Sequence, residues 1–505
     1  MEQKTNKMRK TFFITGATGL LGSRVAYELV NNGYNVICLA RSREDEKAEE
    51  RVIKKISFWS PSECRKFFNN ITILDGDIEA EDLGLKKDAI SLLKDVSPIF
   101  IHSAACTSFE ARDKKSLFKT NLEGTKNCLN TAKAVSALHF NHISTAYIAG
   151  NYNGIFSESD FNVNQQFKNA YEESKFEAEK AVRKFSEATK IPVTIFRPSI
   201  IMGDTLSGKT FNFNTLYSYL KVINVIASRI RNKKISDEIR FECSKNTTKN
   251  IIPADYASKA IAALILSKRQ NRLETFHITN PNPPTFSKLN KLFHKALSLK
   301  PLKLVDLLEE NKDKLSKTET MLKKAMKTYR SYLFHEPLLA SMYTLSILEE
   351  RGIAFPNLDE DYYFKIIDYF LKKNSFSKKE KNAFIQLFEI RMQSAVGTRI
   401  IPNLKTLTKD FVLCLEDINT NYFISVEEGK LISFQINSPK EGLFKFTLSS
   451  NVFTDLLLSK IRPQEAFFKK LVHIDGSLLD ALSLSTVFEK FFSIFSSELN
   501  ELQMA

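Results

Sequence analysis

Tryptophan occurs once and histidine seven times in 505 residues, and six cysteines stand at 38, 64, 106, 128, 243 and 414. The cysteines form no CxxC and no other short pairing, which argues against a disulfide scaffold and against zinc-finger spacing. No metal site is expected, and reduced thiols point to a cytoplasmic protein. No run approaches ~18 uninterrupted apolar residues, so no membrane-spanning helix is expected. The start, MEQKTNKMRK, is polar, and the next apolar stretch carries a glycine motif in place of a cleavage site. Peripheral membrane contact stays open. Acidic residues are in deficit, 58 against 73 basic ones, for a net charge of +15. The basic residues are scattered, and the runs Lys47 to Lys55 and Lys378 to Lys381 are interleaved with Glu. That is a solvated surface; with no RNA-binding aromatic motif or basic zipper region, no nucleic-acid partner is expected.

Phenylalanine is abundant, at 40 residues. A large ring without a polar handle suits wide apolar interiors, including lipid pockets, although abundant Lys and Asn also fit a compositional habit. The length exceeds what one core supports and suggests roughly two to four domains. No internal repeat or low-complexity segment interrupts it.

The first third alternates short apolar runs with helical patterns. TFFITG, YNVICLA, NITILDGDI, PIFIHSAA and FNHISTAYIA read as buried strands, followed by VTIFRPSII and TFHIT. LLGSRVAYELVNNG and KTNLEGTKNCLNTAKAV read as helices between them. The expected fold is α/β, a Rossmann-type doubly wound parallel sheet over residues 1–285. Long charged amphipathic segments over 286–395, LVDLLEENKDKLSKTETMLKKAMKTY among them, suggest a helical substrate cap and linker. Residues 396–505 form a separate α+β domain. Its strands are FVLCLED, NYFISVEEG, KLISFQIN and GLFKFTLSS, with EEGK as a hairpin turn. NVFTDLLLSKI and RPQEAFFKKL follow as helices, VHIDGS as a strand and LLDALSLSTVFEKFFSIF as a closing helix.

The strongest motif is TGATGLLG between the first strand and the first helix. Thr15, Gly16, Thr18, Gly19, Leu20 and Gly22 make the tight turn and close backbone approach that a pyrophosphate needs, with the helix N-terminus facing it. About twenty residues on, where an NAD-binding protein usually carries a carboxylate for the ribose, stand Arg41 and Arg43. Arginine suits a 2′-phosphate, so the expected cofactor is NADP(H).

Tyr171 and Lys175 lie four apart on a helical stretch and therefore on one face. An ammonium beside a phenol favours phenolate, which brings the tyrosine towards useful acid–base chemistry. Upstream, at the carboxyl end of a strand, Ser144 and Thr145 offer a hydroxyl to a substrate carbonyl, and Thr145 is the preferred one.

TGATGLLG, GDI, HSAA, STAY, YEESK and RPSI together resemble the extended short-chain dehydrogenase/reductase superfamily. HISTAYIAG, YEESKFEAEKAV, RPSIIMGDTLSGK and NIIPADYASKAI look most like its fatty acyl-CoA reductase and thioester reductase branch. The resemblance covers residues 10–280 strongly and 280–375 loosely. It implies a Thr/Ser–Tyr–Lys catalytic group and cofactor contacts at Asp77 and Ile78, with the adenine beside Asp77. Further cofactor contacts are implied at Ser103, Ala104 and Ala105, and a nicotinamide-side wall at Arg197, Pro198 and Ser199. The C-terminal order of strands, SSNVFTDLLLSKIRPQEAFFKKLVHIDGSLLDALSL and a Phe-rich last helix resembles the sterol carrier protein domain, which implies a tunnel for acyl chains or sterols. Lys470 departs from the glycine common there.

The two halves imply NADPH-dependent reduction of a fatty acyl thioester, on CoA or an acyl carrier protein, to aldehyde or alcohol. A hydroxysteroid or hydroxy-lipid dehydrogenase is the alternative enzyme. A lipid-transfer protein with a cofactor-sensing reductase domain is the alternative outside catalysis.

Overall fold

The computed structural model describes residues 10–475 except 44–45, 61–67, 108–113, 232–238, 268–270, 298, 301, 307–314, 375–384, 386–387, 390–391, 394, 400–407, 419, 438–443 and 459–460. The chain divides into two compact units, Met1–Leu371 and Lys372–Ala505.

In the first unit the strand–helix alternation gives β1 (Thr11–Thr15), α1 (Leu20–Asn31), β2 (Asn35–Ala40), α2 (Ala48–Ser57), β3 (Ile71–Asp75), α3 (Lys87–Val96) and β4 (Ile99–His102). It continues with α4 (Gly124–Ala134), β5 (His139–Ile143), α5 (Ala170–Ala188), β6 (Val193–Pro198), α6 (Leu216–Arg231), α7 (Ala254–Ile265) and β7 (Leu273–Ile278). The seven strands pair in the order β7-β6-β5-β4-β1-β2-β3, every pair parallel. Alternate residues feed opposite layers. Phe12 and Ile14 pack with Val25 and Leu29 of α1, whereas Phe13 packs with Phe100, Phe140 and Leu129. Burial on both faces is why these strands read as unbroken apolar runs. The direction of winding reverses between β1 and β4, and the crevice for a ligand opens at their carboxyl ends.

VTIFRPSII is not one strand. The β6 ladder ends at Pro198, which has no N–H to carry it on, and Ile200–Met202 turns away to pair with Ile251–Pro253. Nor is LVDLLEENKDKLSKTETMLKKAMKTY one helix. Lys303–Val305 pairs as a strand with Arg240–Glu242, and α9 (Lys317–Ala325) begins only at Ser316, where a capping box with Glu319 satisfies the first amides. With α6, α8 (Phe286–Ala296) and α10 (Glu360–Asn374), α9 encloses a second core around Tyr219, Phe241, Phe286, Phe293 and Tyr363.

The second unit carries β8 (Lys409–Leu415), β9 (Thr420–Glu427), β10 (Lys430–Ile436), β11 (Phe444–Leu448) and β12 (Val472–Asp475), in the order β10-β9-β8-β11-β12. The expected meander holds only for the first three strands; β11 crosses over to pair parallel with β8. The EEGK turn is present, with Glu428 and Gly429 both at positive φ, the geometry of a tight hairpin. Tyr422, Ile424 and Val426 share the core face of β9, and Phe444, Phe446 and Leu448 that of β11. Phe453, Leu456 and Leu457 of Ser450–Leu457 cover them, while Phe468 is exposed. Lys470 adopts φ +55°, the left-handed conformation that a glycine takes without strain. The closing helix expected over LLDALSLSTVFEKFFSIF lies outside the described residues. Among the described residues no helix is long and apolar enough to cross a membrane.

Candidate active site

The glycine turn is as tight as its residues allow. Gly16 sits at φ +77°, and a Cβ there would lie 2.6 Å from the Ala104 amide nitrogen; a Cβ on Gly22 would lie 2.2 Å from the Gly16 carbonyl oxygen. β1 and β4 are bound together beneath the turn. The Ala104 amide donates to Thr15 Oγ1 (3.3 Å), which is 2.8 Å from His102 Nδ1, and the Ser103 amide donates to the Thr15 carbonyl (3.2 Å). Gly19 caps α1 without a side chain, and no acidic residue stands in the first turn. No side chain caps the amides of that turn, which fits a dinucleotide pyrophosphate.

Farther along the same edge, Arg41 Nη1 lies 3.3 Å from Asp77 Oδ2, both partly exposed. Such a pair is worth ~0–1 kcal/mol, so the guanidinium is free to turn to a phosphate. Arg43 is exposed. Arg51, which sequence reasoning missed, folds back from α2 to donate to the Arg41 carbonyl. Burial and the charges of Arg43 and Arg41 press its pKa down, a sign of three cations gathered at one place. Only the amphipathic phase of α2, nearly one turn in from its start, hinted at this. Ile78 is buried beneath this edge against Gly124.

Thr145, Tyr171 and Lys175 converge at the other end of the crevice. α5 is capped by Asn169, whose side chain accepts from the Glu172 amide, and the next turns present Tyr171 and Lys175 on one face. Thr145, two residues past β5, is still extended and caps the short helical turn that follows; its hydroxyl hydrogen-bonds the phenol of Tyr171. Burial pushes the Tyr171 phenol up to about 12, against the Thr145 hydrogen bond. Lys175 Nζ, one turn on, donates to the Ile143 carbonyl at 2.7 Å. Burial draws Lys175 down to about 8, with Glu179 opposing. Burial thus favours the neutral phenol, the form that donates a proton.

Ser144 has another employment. Its hydroxyl donates to Glu179 Oε2 at 2.7 Å, and Glu179 also receives Arg197 Nη2 at 2.6 Å. Burial works to raise the Glu179 carboxyl, but Arg197 and Arg183 prevail and hold it at about 2. Arg197 is fully buried over the Phe156 ring and does not reach the cavity, whereas Pro198 and Ser199 line it. A π-helical turn over Lys119–Glu123 delivers Asn121, which had no signal in the sequence. Its side chain accepts from the Cys106 amide and donates to the Cys106 carbonyl and to Ser174 Oγ, clamping the loop after β4 to the start of α5.

One cavity of about 750 Å³ joins these parts. Gly19, Leu20, Gly22, Ser103, Ala105, Ser144, Thr145, Tyr171, Lys175, Pro198 and Ser199 line it; Thr15, Gly16, Thr18, Ala104, Arg41, Arg43, Asp77, Ile78 and Arg197 do not. Leu216, Tyr219, Phe286, Met326 and Leu333 close its far side, all supplied by the helical layer.

A parallel sheet in this order, a glycine turn at the switch point and a Thr–Tyr–Lys group define a dinucleotide-binding domain of the short-chain dehydrogenase/reductase class. Residues 14–261 match the NAD-binding family described as male sterility protein, and residues 401–489 match the SCP-2 sterol transfer family. The chain therefore joins a male sterility-type NAD-binding domain to an SCP-2 domain. It is 23% identical over 293 residues to a carboxylic acid reductase of Mycobacterium marinum, covering 55% of this chain and 25% of that protein. It is 26% identical over 310 residues to the fatty acyl-CoA reductase wat of Drosophila melanogaster, covering 54% of this chain and 57% of that one. The chain thus spans about a quarter of the mycobacterial relative and little over half of the fly one. In fold it is similar to the terminal R domain from the myxalamid PKS-NRPS pathway, with a TM-score of 0.59 at 21% identity over 73% of this chain and 92% of that one.

Proposed function

We propose that the chain reduces a fatty acyl thioester, carried on CoA or on an acyl carrier protein, with NADPH, and that its SCP-2 domain holds the lipid. The observation that carries this is one cavity that puts the uncapped α1 terminus, the neutral Tyr171 and the apolar side chains of the far wall together. Thr15, Gly16, Thr18 and Gly19 would form the pyrophosphate turn, Arg41 and Arg43, with Arg51, would hold the 2′-phosphate, and Lys175 would bind ribose hydroxyls. When bound, the reduced nicotinamide supplies hydride to the carbonyl carbon. Thr145 donates a hydrogen bond to the carbonyl oxygen and fixes its position against Tyr171. Tyr171 gives its proton to that oxygen as charge develops there, and the ammonium of Lys175 stabilises the phenolate left behind. Collapse of the resulting hemithioacetal releases thiol and aldehyde; a second round at the same group gives the alcohol. The carboxylic acid reductase and fatty acyl-CoA reductase relatives, and the fold shared with a thiolation-reductase di-domain, support this substrate class. The five cysteines among the described residues are all free thiols, which favours a reducing, cytoplasmic setting.

The SCP-2 match favours one second reading, an NADP-dependent hydroxysteroid or hydroxy-lipid dehydrogenase. The two are separated by following NADPH absorbance with a panel of acyl-CoAs beside a Tyr171→Phe variant. Consumption that requires a long acyl thioester and falls roughly 10²- to 10⁴-fold in the variant is expected. No turnover with any thioester, and NADP⁺ reduced by sterols or hydroxy-lipids, would replace the reductase with the dehydrogenase.

A further inference from the structure

The helical layer lines the cavity with polar groups, among them Ser218 and Lys221, as well as apolar ones, and one polar corner is deeply buried. Lys249 and Glu336 both line the cavity with side chains only 5% and 2% exposed, and Lys249 Nζ lies 3.0 Å from Glu336 Oε1. Lys249 also donates to the Tyr332 carbonyl, and its ammonium lies 6.0 Å from the centre of the Phe286 ring, itself part of the cavity wall. The second oxygen of Glu336 accepts from the Tyr147 hydroxyl at 2.9 Å, and Tyr147 lines the cavity two residues beyond Thr145.

A pair of charges removed from water is a poor stabiliser; residues of similar volume without charge would fill the same space at no loss. An unbranched alkyl chain laid against this corner would strip it of solvent and return no hydrogen bond. The corner carries no net charge, so it does not select a carboxylate or a phosphate. It does offer, side by side, an ammonium with three N–H donors and only two described acceptors, and lone pairs on Glu336 and Tyr147. A neutral hydroxyl, which donates once and accepts twice, matches that set.

We infer that Lys249, Glu336 and Tyr147 form a specificity site for a hydroxyl on the acyl chain, close to the reacting carbonyl. The preferred substrates are then hydroxyacyl thioesters in place of plain saturated ones. The placement of the carbonyl beside Thr145 rests on the reductase reading above; the polar corner itself does not. A site built to bind a hydroxyl discriminates against the analogue lacking it, here because the third N–H of Lys249 has no acceptor among the described residues until the hydroxyl supplies one.

The test separates binding from turnover. The full chain with NADP⁺, which cannot reduce a thioester, is titrated calorimetrically with a saturated acyl-CoA and with its 3-hydroxy derivative of equal length. Tighter binding of the hydroxylated chain by about 10- to 100-fold is expected. In a Lys249→Met/Glu336→Gln double variant, and in Tyr147→Phe, that ratio should fall towards one. Equal affinities in the unaltered chain would overturn the inference, whatever the turnover. So would a preference that survives in Tyr147→Phe and in the folded double variant. A hydroxyl preference that both variants abolish, with no NADPH consumed by either substrate, would uphold the corner and defeat the reductase reading.

Discussion

Glu179→Gln removes one charge and almost no volume from the support beneath the catalytic strand. In the native protein Glu179 is completely buried, takes Arg197 at 2.6 Å and Ser144 at 2.7 Å, and is held at about 2 against an ordinary 4.5. At roughly 1.4 kcal/mol per tenfold, that depression corresponds to about 3 kcal/mol of native-state preference for the carboxylate. Breaking a buried pair while its partner stays charged costs about 3–5 kcal/mol, so the two figures agree in size. Because the native value lies below the unfolded one, this stability is fully present above about pH 4.5 and is lost as pH falls towards 2. Thermal unfolding of the full chain near pH 7, followed by near-UV circular dichroism, should show the transition of the reductase unit well below that of the wild type. The difference should shrink as the pH is lowered through 4. Replacing both partners, as in Glu179→Gln/Arg197→Met, should restore much of the loss. A single variant that melts with the wild type, or a double variant less stable than the single one, would refute the account of Arg197 as a charge held by Glu179.

Lys175, drawn down to about 8 by burial, should lose its charge as pH rises. The kcat/KM profile for NADPH-dependent reduction should then fall on its alkaline side near pH 8, and a flat profile to pH 10 would contradict this. Gly16→Ala forces a Cβ to within 2.6 Å of the Ala104 nitrogen at φ +77°. NADPH affinity should drop at least tenfold, read by quenching of cofactor fluorescence, and binding unchanged within twofold would show that the turn is not where the cofactor lies. Arg41→Ala and Arg51→Ala should each raise the KM for NADPH by about tenfold with little change for NADH, consistent with loss of a charge-assisted hydrogen bond. Equal effects on both cofactors would remove the 2′-phosphate from this cluster.

What local order decides was readable at once. The β1–turn–α1 unit follows from apolar residues bounded by Gly16, Gly19 and Gly22, whose need for close approach, and at Gly16 for positive φ, is written in the residue type. Tyr171 and Lys175 share a face because a helix repeats every 3.6 residues, whatever packs around it. Ser144 and Thr145 show the limit of that reasoning: both directly follow β5, and local order does not say which of the two hydroxyls faces the crevice. Only the packed structure sends Ser144 to Glu179 and Thr145 to Tyr171. RPSI was misleading for the same reason, since Arg197 turns inward to a carboxylate 18 positions away while Pro198 and Ser199 reach the cavity.

The sequence by itself determined the strand–helix alternation, the glycine turn and the shared face of Tyr171 and Lys175, because each rests on local order within a strand, a turn or a helix. The tertiary structure alone decided the burial of Tyr171, the third arginine at Arg51, and the corner where Lys249 meets Glu336 87 positions on and Tyr147 meets it across 189. Burial and charge pairing depend on distances through space, and no periodicity along the chain encodes them.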